Sequence, residues 1–201
     1  MSNFNLFGIS GKMGVGKNFI AEKILLPLLS EINFGSNTLV IAFADHFKVD
    51  CCSKENISFE RVFVKKDPES RAILQKRGTE EGRNKYGDDI WTRTLENWIK
   101  VYASRGIKNF IITDVRFENE VKFVEKLGGL VIRVNSPVRN EIALMNESNG
   151  NKEIYEKISS HPSETSLDNY NFDFVIQNDN KSEESLREEV KNIIKQVYWI
   201  Q

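Results

Sequence analysis

Cysteine is nearly absent. The 201 residues contain two, Cys51 and Cys52, and they are adjacent. Vicinal cysteines rarely pair and a disulfide framework needs more of them, so a reducing cytoplasm is expected, with both thiols as partly buried filler. Histidine is equally scarce. His46 and His161 show no metal-ligand spacing, so a structural or hydrogen-bonding role is expected of each. No apolar run is long enough to span a bilayer, and the chain opens straight into a strand-like segment without a basic n-region or cleavage site. No membrane and no signal peptide are therefore expected. An excess of one charge sign is also missing: 28 Lys and Arg face 29 Asp and Glu, for a formal net charge of −1. Bulk charge thus gives a nucleic-acid partner no support. Internal repeats and low-complexity tracts are lacking too.

What remains is ordinary globular composition, 40% hydrophobic and 28% charged, at a length that suits one domain over residues 1–201. Leu6-Phe7-Gly8-Ile9-Ser10 reads as a buried parallel strand, and Ile20, Ile24, Leu25 and Leu28 place a helix after it, with Pro27 expected to kink or end it. Further strands are predicted at Thr38–Ala44, Phe110–Thr113, Leu130–Val134 and Phe172–Gln177. Asp67 reads as the N-cap of a helix with Pro68 at its first position, running to Gly78. Trp91, Leu95, Trp98 and Tyr102 recur at helical spacing, and Glu118–Leu127 is a helix stopped by Gly128-Gly129. Alternating strands and helices predict an α/β fold with about five mainly parallel strands flanked by helices. The polar stretch over residues 136–166 is too long for a passive loop in a compact domain, so it is expected to form one or two short helices acting as a lid.

Gly11-Lys12-Met13-Gly14-Val15-Gly16-Lys17 fits G-x-x-x-x-G-K between a predicted strand and a predicted helix, the context that a phosphate-binding loop requires. Glycines let the backbone curl its N–H groups toward phosphate oxygens, and the helix N-terminus adds positive potential. Lys17 supplies a point charge for the β- and γ-phosphates. The next position commonly carries a Ser or Thr hydroxyl for Mg²⁺, but here it is Asn18, whose amide oxygen can ligate the metal weakly or hold one of its waters. Asp114 ends an apolar strand as a Walker-B acid does and could orient Mg²⁺ through water; Asp45 ends the second predicted strand at the same edge of the sheet.

Several blocks resemble one family in order along nearly the whole chain. They are Gly16-Lys17-Asn18, Phe43-Ala44-Asp45-His46-Phe47-Lys48, Leu74-Gln75-Lys76-Arg77-Gly78-Thr79-Glu80, Gly82-Arg83 and Gly87-Asp88-Asp89-Ile90-Trp91. Thr113-Asp114-Val115-Arg116-Phe117-Glu118-Asn119-Glu120, His161-Pro162-Ser163-Glu164 and Asp173-Phe174-Val175-Ile176-Gln177-Asn178 complete the set. Together they resemble the viral and bacteriophage deoxynucleoside monophosphate kinases. The resemblance implies a P-loop nucleotide-kinase fold with a lid, transfer of the γ-phosphoryl group of ATP to a deoxynucleoside 5′-monophosphate with Mg²⁺, a possible homodimer, and a host cytoplasm if the source is viral. In that family the residue after the P-loop lysine is often Asp, and Asn18 lacks its charge.

The family's acceptor-binding region corresponds to about residues 46–105, and the lid to about 136–166. Arg71, Arg77, Arg83 and Arg93 fall in the former, where planar guanidinium groups suit a phosphate; Arg71 and Arg83 are favoured. Asp45, Lys48, Gln75 and Asp88 offer polar contacts to the acceptor, and Trp91 can stack on a base or join the helix core stripe. Arg116 and Arg139 are expected to act on the transferring group, with Arg133 beside the lid, while Glu120 reads as a solvated helix residue or a partner for Arg116. Animal-type phosphomevalonate kinases also resemble the chain, at Gly16-Lys17-Asn18-Phe19, Thr113-Asp114-Val115-Arg116 and Ser163-Glu164-Thr165-Ser166-Leu167-Asp168-Asn169. A phosphomevalonate acceptor, or a nucleotide-binding module with a weakened metal site, are the alternatives.

Overall fold

The computed structural model describes residues 4–32, 37–65 and 67–198, without the side chains of Pro68, Arg71, Ala72, Gln75, Thr79 and Glu80. The chain divides into two compact units, Met1–Ile41 with Arg105–Gln201, and Ala42–Ser104.

Among the described residues the first unit carries five parallel strands between its helices: β1 (Asn5–Ser10), β2 (Thr38–Ile41), β3 (Asn109–Val115), β4 (Leu130–Asn135) and β5 (Phe174–Gln177). Their spatial order is β2-β3-β1-β4-β5. A parallel sheet is covered by helices on both faces, which is why β1 and β3 are apolar almost without a break. Phe7, Ile9, Ile111, Ile132 and Ile176 share a core with Ile20, Ile24 and Leu28 of the first helix and with Leu186, Val190 and Ile194 of the last, Glu183–Tyr198. Each fully buried large apolar side chain contributes about 1.5–3 kcal/mol, so this core anchors the first helix against β1 and sets the loop between them.

Pro27 does not end the first helix. Residues 17–31 are continuously helical, with the turn Ile20–Leu25 wound as a π-helix before Leu26–Glu31. A wider turn ahead of proline relieves the clash of its ring with the preceding carbonyl and tolerates its missing N–H. β3 reaches Val115 and so contains Asp114, while β5 begins at Phe174 instead of Phe172. The stretch expected to hold one or two helices holds three: Pro137–Ser148, Lys152–Ser159 and Pro162–Thr165.

The second unit is helical. β2 stops at Ile41, short of Ala44, and the carboxylate of Asp45 accepts the N–H of Ala42 at 2.8 Å, turning the chain into the helix Asp45–Glu55. After the π-helical turn Glu60–Lys65, Asp67 caps the helix that begins at Pro68 through Ser70 N at 3.1 Å, and Arg61 grips the same carboxylate at 2.9 and 3.0 Å. Those contacts hold Asp67 well below the usual carboxylate range, with the Arg61 bond the largest cause. The helix passes Gly78 and ends at Tyr86, because Trp91 Nε1 donates to the carbonyl of Gly78 at 3.0 Å and tertiary packing overrides glycine's weak helix propensity. Along Ile90–Ser104, Leu95 and Ile99 are buried, while Trp98 stacks on His46 at 4.5 Å and on Tyr102 at 5.6 Å.

Candidate phosphate-binding site

Register brings the chemistry together at the carboxyl end of the sheet. Ser10, the last residue of β1, pairs with Val115 of β3 and with Arg133 of β4. Asp114 and Arg116 therefore flank the start of the Gly11–Lys17 loop on one side and Arg133 on the other, at the edge where α/β sheets bind ligands. Arg133 Nη1 donates to Ser10 Oγ at 3.1 Å, and Nε donates to Asn135 Oδ1 at 3.2 Å. Burial lowers the Arg133 pKa, with Asp168 opposing that shift.

The loop has the curl that phosphate binding needs. Gly14 and Gly16 have φ of 75° and 97°, in the left-handed region that favours glycine. A β-carbon on Gly14 would run into Ala143 Cβ and stand 3.0 Å from the carbonyl oxygen of Arg139; one on Gly16 would run into Asn178 Nδ2. The helix from Lys17 starts directly behind this curl, so its unsatisfied N–H groups face the same space. Lys17 Nζ donates to Gly11 O at 2.9 Å and to Lys12 O at 2.6 Å. Burial, followed by the charge of Arg116, brings its pKa down to about 7, while Glu164 and Asp114 pull it upward. Asn18 is exposed on the first helical turn and Asp114 is half-buried.

The segment over 136–178 walls the loop. Asn140 Nδ2 donates to Met13 O at 2.8 Å, Asn178 Nδ2 donates to Val15 O at 2.8 Å, and Lys12 is paired with Asp168 at 2.9 Å. Arg139 is exposed, and its Nη1 lies 3.9 Å from where a Gly16 β-carbon would stand. Glu164 accepts the N–H of Met13 at 2.7 Å and also bonds to Arg116. Glu164, Asp168, Asn140 and Asn178 escaped the sequence reading as individual site residues. Polar residues of this kind are common on helix ends and loops, and only their distant partners distinguish them. Glu120 is buried and not solvated: its Oε2 accepts the N–H of Arg116 at 2.7 Å and of Phe117 at 3.1 Å, fixing the backbone that follows β3. His161 Nδ1 accepts the N–H of Ser163 at 3.2 Å and caps Pro162–Thr165, a hydrogen-bonding role.

Among the residues expected to bind the acceptor, Asp45 is engaged with Ala42 N and stands 3.9 Å from Lys48, whose ammonium lies 5.2 Å from the Phe63 ring centre. Trp91 packs on Phe47 at 5.0 Å and lines a cavity of about 480 Å³ with Phe47, Lys54, Arg77, Glu81 and Tyr86. Arg77 is tied to Glu55 and Glu81, and Arg93 donates to the carbonyl of Tyr86 at 2.9 Å, so both have structural partners. Arg83 is half-buried and Asp88 exposed. The side chains of Arg71 and Gln75 lie outside the described residues.

Among the described residues no helix is long and apolar enough to cross a membrane. No protein-family model matches the chain. A mimivirus protein, described as "Putative deoxynucleotide monophosphate kinase" of Acanthamoeba polyphaga mimivirus, is 29% identical over 155 residues, 66% of this chain and 74% of that protein. The crystal structure of TT1252 from Thermus thermophilus superposes with a TM-score of 0.57 at 17% identity, covering 98% of this chain and 99% of that one. A dephospho-CoA kinase from Campylobacter jejuni gives a TM-score of 0.48 at 17% identity, covering 98% of each chain. In fold the chain is a parallel α/β protein with a glycine-rich loop after β1, sharing the fold of TT1252, and in sequence it is similar to the mimivirus "Putative deoxynucleotide monophosphate kinase".

Proposed function

We propose that the protein transfers the γ-phosphoryl group of ATP to a deoxynucleoside 5′-monophosphate, giving the diphosphate. The observation that carries this reading is the gathering of Lys17, Arg116 and Arg133 around a glycine loop whose backbone is curled for phosphate. Phosphoryl transfer asks little covalent chemistry of a protein. It asks for cations fixed where charge spreads over the transferring group, and for an acceptor held in line. Lys17 and Arg116 supply such cations, and Arg139 supplies a further one from the lid helix Pro137–Ser148.

Magnesium takes few protein ligands, usually one or two carboxylates beside phosphates and water. The Asp114 carboxylate and the Asn18 amide suit that demand, and among the described residues no closed cluster of acidic, His or Cys side chains competes with them. When bound, the ion neutralises phosphate charge.

The acceptor assignment is supported by the described activity of the mimivirus relative and by the resemblance over Leu74–Trp91. Arg71, Gln75, Arg83, Asp88, Trp91, Asp45 and Lys48 are the residues assigned to it. A base offers a flat face and hydrogen-bonding edges, which an aromatic ring and an amide can meet; phosphomevalonate has neither. A coupled assay with ATP, Mg²⁺ and a panel of deoxynucleoside monophosphates, ribonucleoside monophosphates and phosphomevalonate tests the proposal. Turnover with a deoxynucleoside monophosphate is expected. Turnover with phosphomevalonate alone would reassign the acceptor, and ATP binding without turnover on any acceptor would leave a nucleotide-binding module.

A further inference from the structure

Glu164 sits in the short helix Pro162–Thr165 with only 7% of its surface exposed. A buried carboxylate persists only with partners for its charge and its lone pairs. Its two oxygens go to different parts of the site: Oε2 accepts the N–H of Met13 in the phosphate loop at 2.7 Å, and Oε1 accepts from Nη1 of Arg116. The same Nη1 donates to the carbonyl of Ser163 at 3.1 Å. At its other end Arg116 is held through its backbone N–H, which donates to Glu120 at 2.7 Å. The residue is thus fixed at both ends, its main chain by Glu120 and its guanidinium by Glu164 and Ser163.

An arginine side chain has many rotamers, and ordering it during a reaction has an entropic cost. A cation already aimed at the phosphate loop does not carry that cost when charge develops, and such preorganised groups carry much of the electrostatic benefit in catalysis. Arg116 and Glu164 both act on the charge of Lys17, which places all three at one centre. The Met13 bond adds a second consequence: one carboxylate joins the loop to the end of β3, so loop and guanidinium are positioned together.

The geometry points to Glu164 as a positioning residue that holds Arg116 beside the phosphate loop, so that the guanidinium meets the terminal phosphate of a nucleoside triphosphate already oriented. The identity of the ligand rests on the phosphoryl-transfer reading above. Glu164 acts through Arg116 and does not touch the reacting atoms.

The test compares Mg·ATP and Mg·ADP dissociation constants by calorimetry for the full chain, Glu164→Gln, Arg116→Ala and the double variant. Glutamine keeps the size of the side chain and can still accept the Met13 N–H, but it loses the charge that fixes Arg116. The preference for ATP over ADP is expected to fall roughly tenfold or more in each single variant, the scale of one charge-assisted bond to phosphate, and by less than a further factor of about two in the double variant. Turnover is expected to fall roughly tenfold or more in Glu164→Gln. An unchanged ATP preference would reduce Glu164 to a structural role. A raised preference would make its carboxylate a competitor of the terminal phosphate, and full multiplication of the two single effects would uncouple it from Arg116; each of the three outcomes overturns the proposal. Should Glu164→Gln fail to fold, Glu164→Asp, which retains charge but is too short to span both partners, is expected to show the same fall in preference. The proposed function fails separately, if the parent binds ATP yet phosphorylates no acceptor.

Discussion

The side-chain amide of Asn178 fills the space that a β-carbon on Gly16 would occupy, and its Nδ2 donates to the carbonyl of Val15 at 2.8 Å. Asn178 follows β5 and its own N–H donates to Asn135 O at 2.7 Å, so the outermost strand of the sheet holds the phosphate loop in shape. Gly16→Ala therefore meets two obstacles, a left-handed backbone and an occupied site. It should lose about 1–3 kcal/mol of stability, read as a lower denaturant midpoint. Asn178→Ala should lose a similar about 1–3 kcal/mol by leaving the Val15 carbonyl without its buried partner. Gly16→Ala with the parent's midpoint and the parent's affinity for ATP would contradict the account.

Lys17→Ala should fold and fail to transfer. The ammonium is required once charge gathers on the phosphates, and loss of a group of this kind raises the barrier by about 3 kcal/mol or more. Turnover close to that of the parent would remove the basis of the proposed function. Circular dichroism of the variant should match the parent's, because a half-buried lysine whose pKa is brought down to about 7 contributes no favourable charge to the fold.

The lowered Lys17 pKa carries a pH signature with a definite sign. Between about 7 and the ordinary value of 10.5, the unfolded chain keeps this proton while the folded chain has released it. Stability from this group is accordingly lowest below pH 7 and rises with pH across that window. A bound phosphate restores the ammonium, so ATP binding at pH 8 should take up a proton. Calorimetry in buffers of different ionisation enthalpy measures that uptake, and Lys17→Met should abolish it. Equal uptake in the variant would assign the proton elsewhere.

The helices Pro137–Ser148 and Pro162–Thr165 reach the loop through Asn140, Ala143 and Glu164, and we propose that the segment over residues 137–165 acts as the lid of the reaction. A kinase must exclude water when both substrates are present, or ATP is hydrolysed instead. Amide hydrogen exchange in Pro137–Ser148 and Lys152–Ser159 should slow when ATP and a deoxynucleoside monophosphate are added together, and slow less with either alone. Exchange that does not change under saturating ligands would leave these helices a static wall.

Arg83→Ala should weaken the acceptor and spare the donor. Arginine grips phosphate at two points, and one such charged bond contributes about 1.5–3 kcal/mol. The Michaelis constant for the deoxynucleoside monophosphate should rise roughly tenfold or more, while the dissociation constant for ATP stays within about a factor of two. An unaltered acceptor constant would move the phosphate contact to another arginine of the segment.

The phosphate loop was legible in the sequence because its chemistry is contiguous: glycines at the required spacing, a lysine, an apolar strand before and an amphipathic helix after. The central strands β1, β3 and β4 were legible for a similar reason, since burial on both faces writes itself as apolar runs, while the outer strands β2 and β5, less buried, were found with their ends misread. At β2 the end was set by the side chain of Asp45 reaching back to Ala42, and at Gly78 a glycine read as a stop was bridged by Trp91 from thirteen positions along the chain. The surroundings of the loop were decided by the tertiary structure. Glu164 and Asn178 lie 151 and 163 residues from the loop atoms they bind, and Glu120 became a buried anchor because β3 ends where its carboxylate can reach two main-chain N–H groups. A carboxylate or an amide in a polar segment has the same local pattern whether it faces water or closes a site. Only the sheet order β2-β3-β1-β4-β5, which brings the ends of β3, β4 and β5 around that of β1, selects which of them are buried and whom they meet.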